Sequence, residues 1–172
     1  MALWRILFFY FLIYSFLGWV TEGIFNLFTQ GHFIKPNFLI LPLKPMYGIA
    51  SVLLVLLKDQ LPLVLFLLSC FIIPSLVEYL TAFLLFHTFE LKYWDYSQCP
   101  YNLSGYVCLR FSIYWVILSL ALVYLIHPLI VVIYQKISWF WFYFFPIMLL
   151  TFIIDTYLSI KNKIPSHLYT KK

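Results

Sequence analysis

Glu22 and Glu78 each stand inside a long apolar run, and that placement calls for a chemical account. A carboxylate in hydrocarbon costs at least about 2.5 kcal/mol even on lenient scales, so each needs a partner, a proton or a ligand. Arg110 opens another apolar run and is the cation placed to meet them. The polar interval from Lys92 to Arg110 supplies Asp95 and Asn102 among several aromatic residues. Trp19 lies about one helical turn before Glu22. Two readings stay open. In the first, Glu22 or Glu78 pairs with Arg110 or with Tyr and Asn groups, or is kept protonated by burial, and locks the helices together. In the second, Glu22, Glu78, Arg110, Asn102, Trp19 and Asp95 line a polar cavity that binds a small molecule, an ion or a proton.

Other chemistry is poorly served. The sequence has no nucleophile–His–acid set and no metalloprotease helix pattern, so no catalytic residue is assigned and no enzyme is expected. It has no Gly-rich nucleotide loop, so ATP hydrolysis would fall to another chain. Cys70 sits in an apolar run, while Cys99 and Cys108 flank the polar interval as free thiols. A metal site would need more His or Cys nearby, and no metal or cofactor is implied. His127 beside Pro128 reads as an interfacial group, as does Asp155 near a Lys-bearing end.

The elements that position these residues follow from composition. The 172 residues are 65% hydrophobic, 23% aromatic and only 10% charged. Soluble domains carry about 25% charged residues, so the natural solvent of this chain is a bilayer. The net charge of +5 does not point to nucleic acid, because the basic residues are scattered at helix ends, where membrane proteins place them.

The expected fold is an all-α polytopic bundle in a single integral membrane domain, residues 1–172, with about five spans. Helices are predicted over about residues 4–28, 46–57, 61–89, 109–134 and 139–160. Ser15, Gly18, Glu22 and Asn26 share one face of the first helix. Cys70, Pro74, Glu78 and the Thr81–Ala82 pair share a face of the third, which Pro74 should kink. The first segment is too long for a plain signal peptide and is expected to remain as a helix. The stretch 29–45 carries Pro36, Pro42 and Pro45, which rule out a regular helix, yet Phe38–Leu41 is apolar. Such a stretch can lie at the interface or re-enter the bilayer if protein covers its backbone. Gln135–Ser138 reads as a turn.

With five spans, Lys35, Lys44, Lys92, Arg110, Lys161, Lys163, Lys171 and Lys172 fall on one side, and Arg5, Lys58 and Lys136 on the other. The positive-inside rule then puts the N-terminus outside and the C-terminus in the cytoplasm, with both loops facing inward.

Several motifs now combine in order. They are Tyr14-Ser15-Phe16-Leu17-Gly18-Trp19 with Glu22, Pro42-x-x-Pro45-x-Tyr47-Gly48, and Glu78-Tyr79-Leu80-Thr81. Trp94-Asp95-Tyr96-Ser97, Asn102-Leu103-x-Gly105, Cys108-Leu109 and His127-Pro128 follow. Together they resemble the bacterial ABC-transporter type IV family, also called ABC transporter permease, across nearly the whole chain. Leu41 and Tyr106 depart from the family pattern, which has Gly and a basic residue there. The resemblance implies a multi-span protein of a bacterial cell membrane, a permease-like subunit with a separate ATPase or other membrane subunit as partner. It carries no catalytic or substrate residues with it. The rival expectation is a non-transport scaffold, sensor or immunity-type interaction protein, in which the two Glu residues are structural.

Overall fold

The computed structural model describes residues 3–165, so the basic pair Lys171 and Lys172 lies outside the described residues. Helix α1 spans Leu3–Gln30, α2 Pro45–Leu57 and α3 Leu63–Phe89. A two-stranded antiparallel hairpin follows, β1 (Asn102–Leu103) with β2 (Val107–Cys108). Helix α4 (Leu109–Ala121), a wider π turn (Leu122–Ile126) and α5 (His127–Lys163) then continue without a break. Three helical runs are long and apolar enough to cross a membrane: α1, α3 and the 55-residue run from Leu109 to Lys163. Helix α2, at 13 residues, is shorter than a full span.

The polarity of the molecule is inverted relative to a protein in water. Large apolar side chains such as Leu63, Val64, Leu68, Ile72, Leu125 and Leu129 are exposed, while Ser15, Asn26, Glu78, Ser112, Asp155 and Ser159 are buried. A lipid-facing exterior accounts for that arrangement.

Close packing of small residues brings α1 and α2 together. A Cβ on Gly18 would come within 2.2 Å of the Tyr47 ring, and one on Gly48 within 2.6 Å of the Phe11 carbonyl. Glycine at both positions lets the backbones approach, as small residues do between helices in lipid. Pro45 opens α2 at no hydrogen-bonding cost, because the first N–H of a helix has no partner in its own helix. Helices α3 and α4 run antiparallel: Ser75 meets Ser112, Glu78 meets Trp115, and Phe66 meets Tyr124.

The run from Leu109 to Lys163 is not a straight rod. His127 packs on Tyr10 with ring centroids 5.1 Å apart, and Phe152 packs on Phe11 at 5.3 Å. A straight helix would separate His127 from Phe152 by about 37 Å. The backbone therefore folds back sharply between Tyr134 and Phe145, and both legs lie against α1. Helical hydrogen bonding persists through Gln135–Ser138, where a turn was expected, so the reversal is a bend in a helix and not a loop. The earlier irregularity has a simple cause. Pro128 lacks an N–H and crowds the carbonyl four residues back, and the preceding turn widens so that the His127 N–H reaches the Leu122 carbonyl.

The stretch 31–44 is folded tightly against α5 and α1. Both oxygens of Asp155 accept backbone N–H groups, from Ile40 at 2.9 Å and Leu41 at 3.1 Å. Asn37 donates to the carbonyls of Leu41 and Leu43. Lys163 donates to the carbonyls of Asn37 and Phe38, and the Lys44 N–H donates to the Ser15 carbonyl. Protein groups thus satisfy a backbone that no helix or sheet serves, which is what apolar surroundings require.

Asp155→Ala should strand two N–H groups and lower the unfolding free energy by about 3 kcal/mol. Asp155→Asn, which keeps one acceptor, should cost less. Denaturant titration in micelles, followed by tryptophan fluorescence, checks both.

Candidate functional site

Glu22 comes from the last third of α1, and Glu78 from the half of α3 beyond Pro74. Because α1 and α3 run in the same direction, both carboxylates approach the end of the bundle that carries the 31–44 stretch and the hairpin. They share the wall of a cavity of about 330 Å³ whose lining also includes Lys35, Tyr47, Asp95, Tyr96, Phe111 and Trp115. A smaller pocket of about 100 Å³ continues toward the middle of the bundle, and Glu78, Tyr47 and Trp115 line it as well.

Glu22 is bound by cations that sequence reasoning did not select. Lys44 brings its ammonium to 2.6 Å from the carboxylate and Lys35 to 3.6 Å. The Tyr47 side chain lines the cavity beside it. Lys44 is 7% exposed, so its pair with Glu22 is largely shielded from water. Both lysines belong to the stretch before α2, and the ion pairs tie that stretch to α1.

Glu78 has a different environment. One oxygen accepts the Trp115 indole N–H at 2.8 Å, and the other accepts the Tyr96 hydroxyl at 3.0 Å. An indole nitrogen can only donate, so that oxygen must be an acceptor. Among the described residues, no cation lies within ion-pair distance of Glu78. Burial first, and then the Glu78 charge, hold the Tyr96 hydroxyl well above the ordinary phenol range, which keeps it protonated and donating.

The segment that leads into the hairpin, Tyr93–Tyr96, supplies the roof. Asp95 accepts from the Ser97 N–H and hydroxyl and pairs with Lys92 at 2.6 Å. The Lys92 ammonium and the two Ser97 donors hold the Asp95 carboxyl well below its usual range. Asp95 therefore stays ionised near neutral pH, and its contribution to the turn is lost only as pH falls through that depressed value. Asn102 accepts the Gly105 N–H and donates to the carbonyls of Ser97 and Cys99, so it shapes the hairpin and stands outside the cavity. Ser104 and Gly105 take positive φ values, 56° and 71°, to close the turn.

The remaining candidates lie apart. Arg110 is exposed and turns toward the Tyr114 hydroxyl at 3.2 Å, so it meets neither carboxylate. Trp19 stacks on Phe16 and packs against Phe33 instead of lining the cavity. His127 shares a 2.5 Å hydrogen bond with the Tyr14 hydroxyl, is half-buried, and stands away from both Glu residues. Cys70, Cys99 and Cys108 are free thiols. Among the described residues, no cluster of His, Cys, Asp and Glu is arranged to hold a metal ion.

The partners that sequence reasoning missed are Lys35, Lys44, Tyr47, Tyr96 and Trp115. Tyr47 was within the family-like motif, and Tyr96 within the polar interval. Trp115, four residues beyond Phe111 on α4, carried no signal that separated it from a lipid-facing aromatic.

Comparison with known proteins bears on the class. The family model described as "Putative ABC-transporter type IV" matches residues 9–160. No curated protein and no solved structure matches the chain.

The ion pair at Glu22 yields a direct expectation. Glu22→Gln alone should destabilise the protein by about 3 kcal/mol, because it leaves the shielded Lys44 ammonium facing a neutral group, whereas Lys44→Met should cost less, because Lys35 still faces Glu22. The double variant should recover most of that loss, and a double-mutant cycle on unfolding midpoints measures the coupling.

Proposed function

The chain belongs to the ABC-transporter type IV family, and from that premise we propose that it is a permease-like subunit of a bacterial membrane transport system. The observation that carries the reading is the cavity between Glu22 and Glu78 at the loop-bearing end of an apolar-surfaced bundle. Membrane proteins tolerate intramembrane carboxylates chiefly on pathways for ions and substrates.

In this reading the chain crosses the bilayer five times: α1, α2 with the re-entrant stretch 31–44 before it, α3, and the two legs of the bent run from Leu109 to Lys163. In this topology the N-terminus is outside and both loops are in the cytoplasm, a reading supported by the distribution of Lys and Arg. The cavity then opens inward and receives a small molecule or an ion. The chain itself is not an enzyme, and a separate ATPase docks on the 31–44 stretch and the hairpin and supplies the energy.

A second reading, a membrane scaffold, sensor or immunity-type interaction protein, draws on one observation. Both carboxylates are already well bonded, Glu22 by lysines and Glu78 by Trp115 and Tyr96, so they can serve as bundle glue alone.

Cross-linking in native membranes followed by affinity purification separates the two. The permease reading expects an ATP-binding subunit to copurify, and expects Arg110→Glu, on the exposed face of the hairpin junction, to cut its recovery several-fold. Recovery of other membrane proteins with no ATPase contradicts the permease reading and favours the scaffold.

A further inference from the structure

The cavity has a composition that selects among ligand charges. Three carboxylates, Glu22, Glu78 and Asp95, line it with one ammonium, Lys35. Lys35 and Lys44 are both directed at Glu22, and Asp95 is matched by Lys92. Among the described residues, Glu78 is therefore the carboxylate of the cavity wall with hydrogen-bond donors and no cation within ion-pair distance. An anionic ligand would find every nearby ammonium already engaged and would face Glu78 at short range.

The rest of the wall is aromatic. The rings of Tyr96 and Phe111 stack with centroids 4.7 Å apart, and Phe25 meets Phe111 edge-on at 6.0 Å. Tyr47 and Trp115 close the side next to Glu78, 5.0 Å apart. Aromatic rings beside a carboxylate favour a weakly hydrated organic cation, which gains from an exposed π face as well as from the charge. The volume of about 330 Å³ suits a small organic molecule better than a bare metal ion.

We propose that this cavity is a binding site for an organic ammonium group, seated between Glu78 and the aromatic wall of Phe25, Phe111 and Trp115. The proposal rests on the permease reading only for its physiological meaning, since binding itself needs no transport. An ammonium group is common to soluble amines and to lipid headgroups. A neighbouring apolar crevice of about 290 Å³ shares Met46, Tyr93 and Trp94 with the cavity and has Leu85 in its far wall. It is placed to take an alkyl tail if the source is a lipid.

The test uses the full chain in lipid nanodiscs and isothermal titration with three probes of similar size: tetramethylammonium, neutral 2,2-dimethylpropanol and methanesulfonate. The expected result is millimolar or tighter binding of tetramethylammonium, with about a tenfold or greater preference over the neutral probe. Glu78→Gln should remove most of that preference. Selectivity measured on the unsubstituted protein decides the matter even if that variant fails to fold. Equal binding of the neutral probe, preferred binding of methanesulfonate, or no binding of tetramethylammonium overturns the proposal.

Dodecyltrimethylammonium identifies the source. Leu85→Trp should weaken this longer probe alone if the occupant is lipid-like, and neither cation if it is a soluble amine; both results keep the ammonium site. A flux assay in vesicles separates the two claims. Binding without flux overturns the permease reading and leaves the ammonium site standing, whereas flux without ammonium selectivity does the reverse.

Discussion

Lys44 holds the bundle in register through two bonds made by one residue. Its ammonium pairs with Glu22 at 2.6 Å, and its backbone N–H donates to the Ser15 carbonyl at 3.0 Å. A pair so shielded contributes little net stability over apolar packing, but it penalises any arrangement that separates the charges. Its main effect is therefore positional. With Lys44 fixed on α1, Pro45 starts α2 at a set height, and Tyr47 falls onto the gap left by Gly18. Tyr47 then packs against Trp115, and Trp115 donates to Glu78. The chain of contacts runs from α1 through α2 and α4 to α3.

The same logic governs the far side of the 31–44 stretch. An irregular backbone beside lipid must find its hydrogen bonds within the protein. Asp155 and Lys163 at the end of α5 supply them, one to N–H groups and the other to carbonyls. The bend between Tyr134 and Phe145 is what returns α5 to that end of the bundle, with Trp141, Phe145 and Phe152 packed along α1 on the way. The loop, the bend and the cavity are thus one construction.

Much of the helical frame was readable from periodicity and composition. The stripe of Ser15, Gly18, Glu22 and Asn26 marked the inner face of α1 because residues three and four apart line up, and the structure buries Ser15, Gly18 and Asn26. The inner position of Glu78 was readable for the same reason. The partners were not. Lys44 lies 22 residues from Glu22, and Asp155 lies 115 from Ile40, distances over which local pattern carries no information. Arg110 looked like the natural counter-charge because it heads α4 on the same side, but at that register it faces outward and Trp115, a turn further on, faces in. Pro128 announced an irregular helix, but whether that meant an end or a bulge depended on packing against Tyr10 and Tyr14. The hairpin gave only a Gly and a run of polar residues, too little to reveal two strands of two residues each.

Glu22 and Glu78 face one cavity, which in the transport reading opens to water at the loop-bearing end. Accessibility of single cysteines tests it most directly. Phe25→Cys and Phe111→Cys line the cavity, and Leu68→Cys faces outward on α3; each is placed in a background with Cys70, Cys99 and Cys108 replaced by alanine. A membrane-impermeant thiol reagent applied to inside-out vesicles should label the two cavity positions and leave the lipid-facing one unlabelled. Labelling of the cavity positions from the opposite face only, or from neither face, would contradict the account.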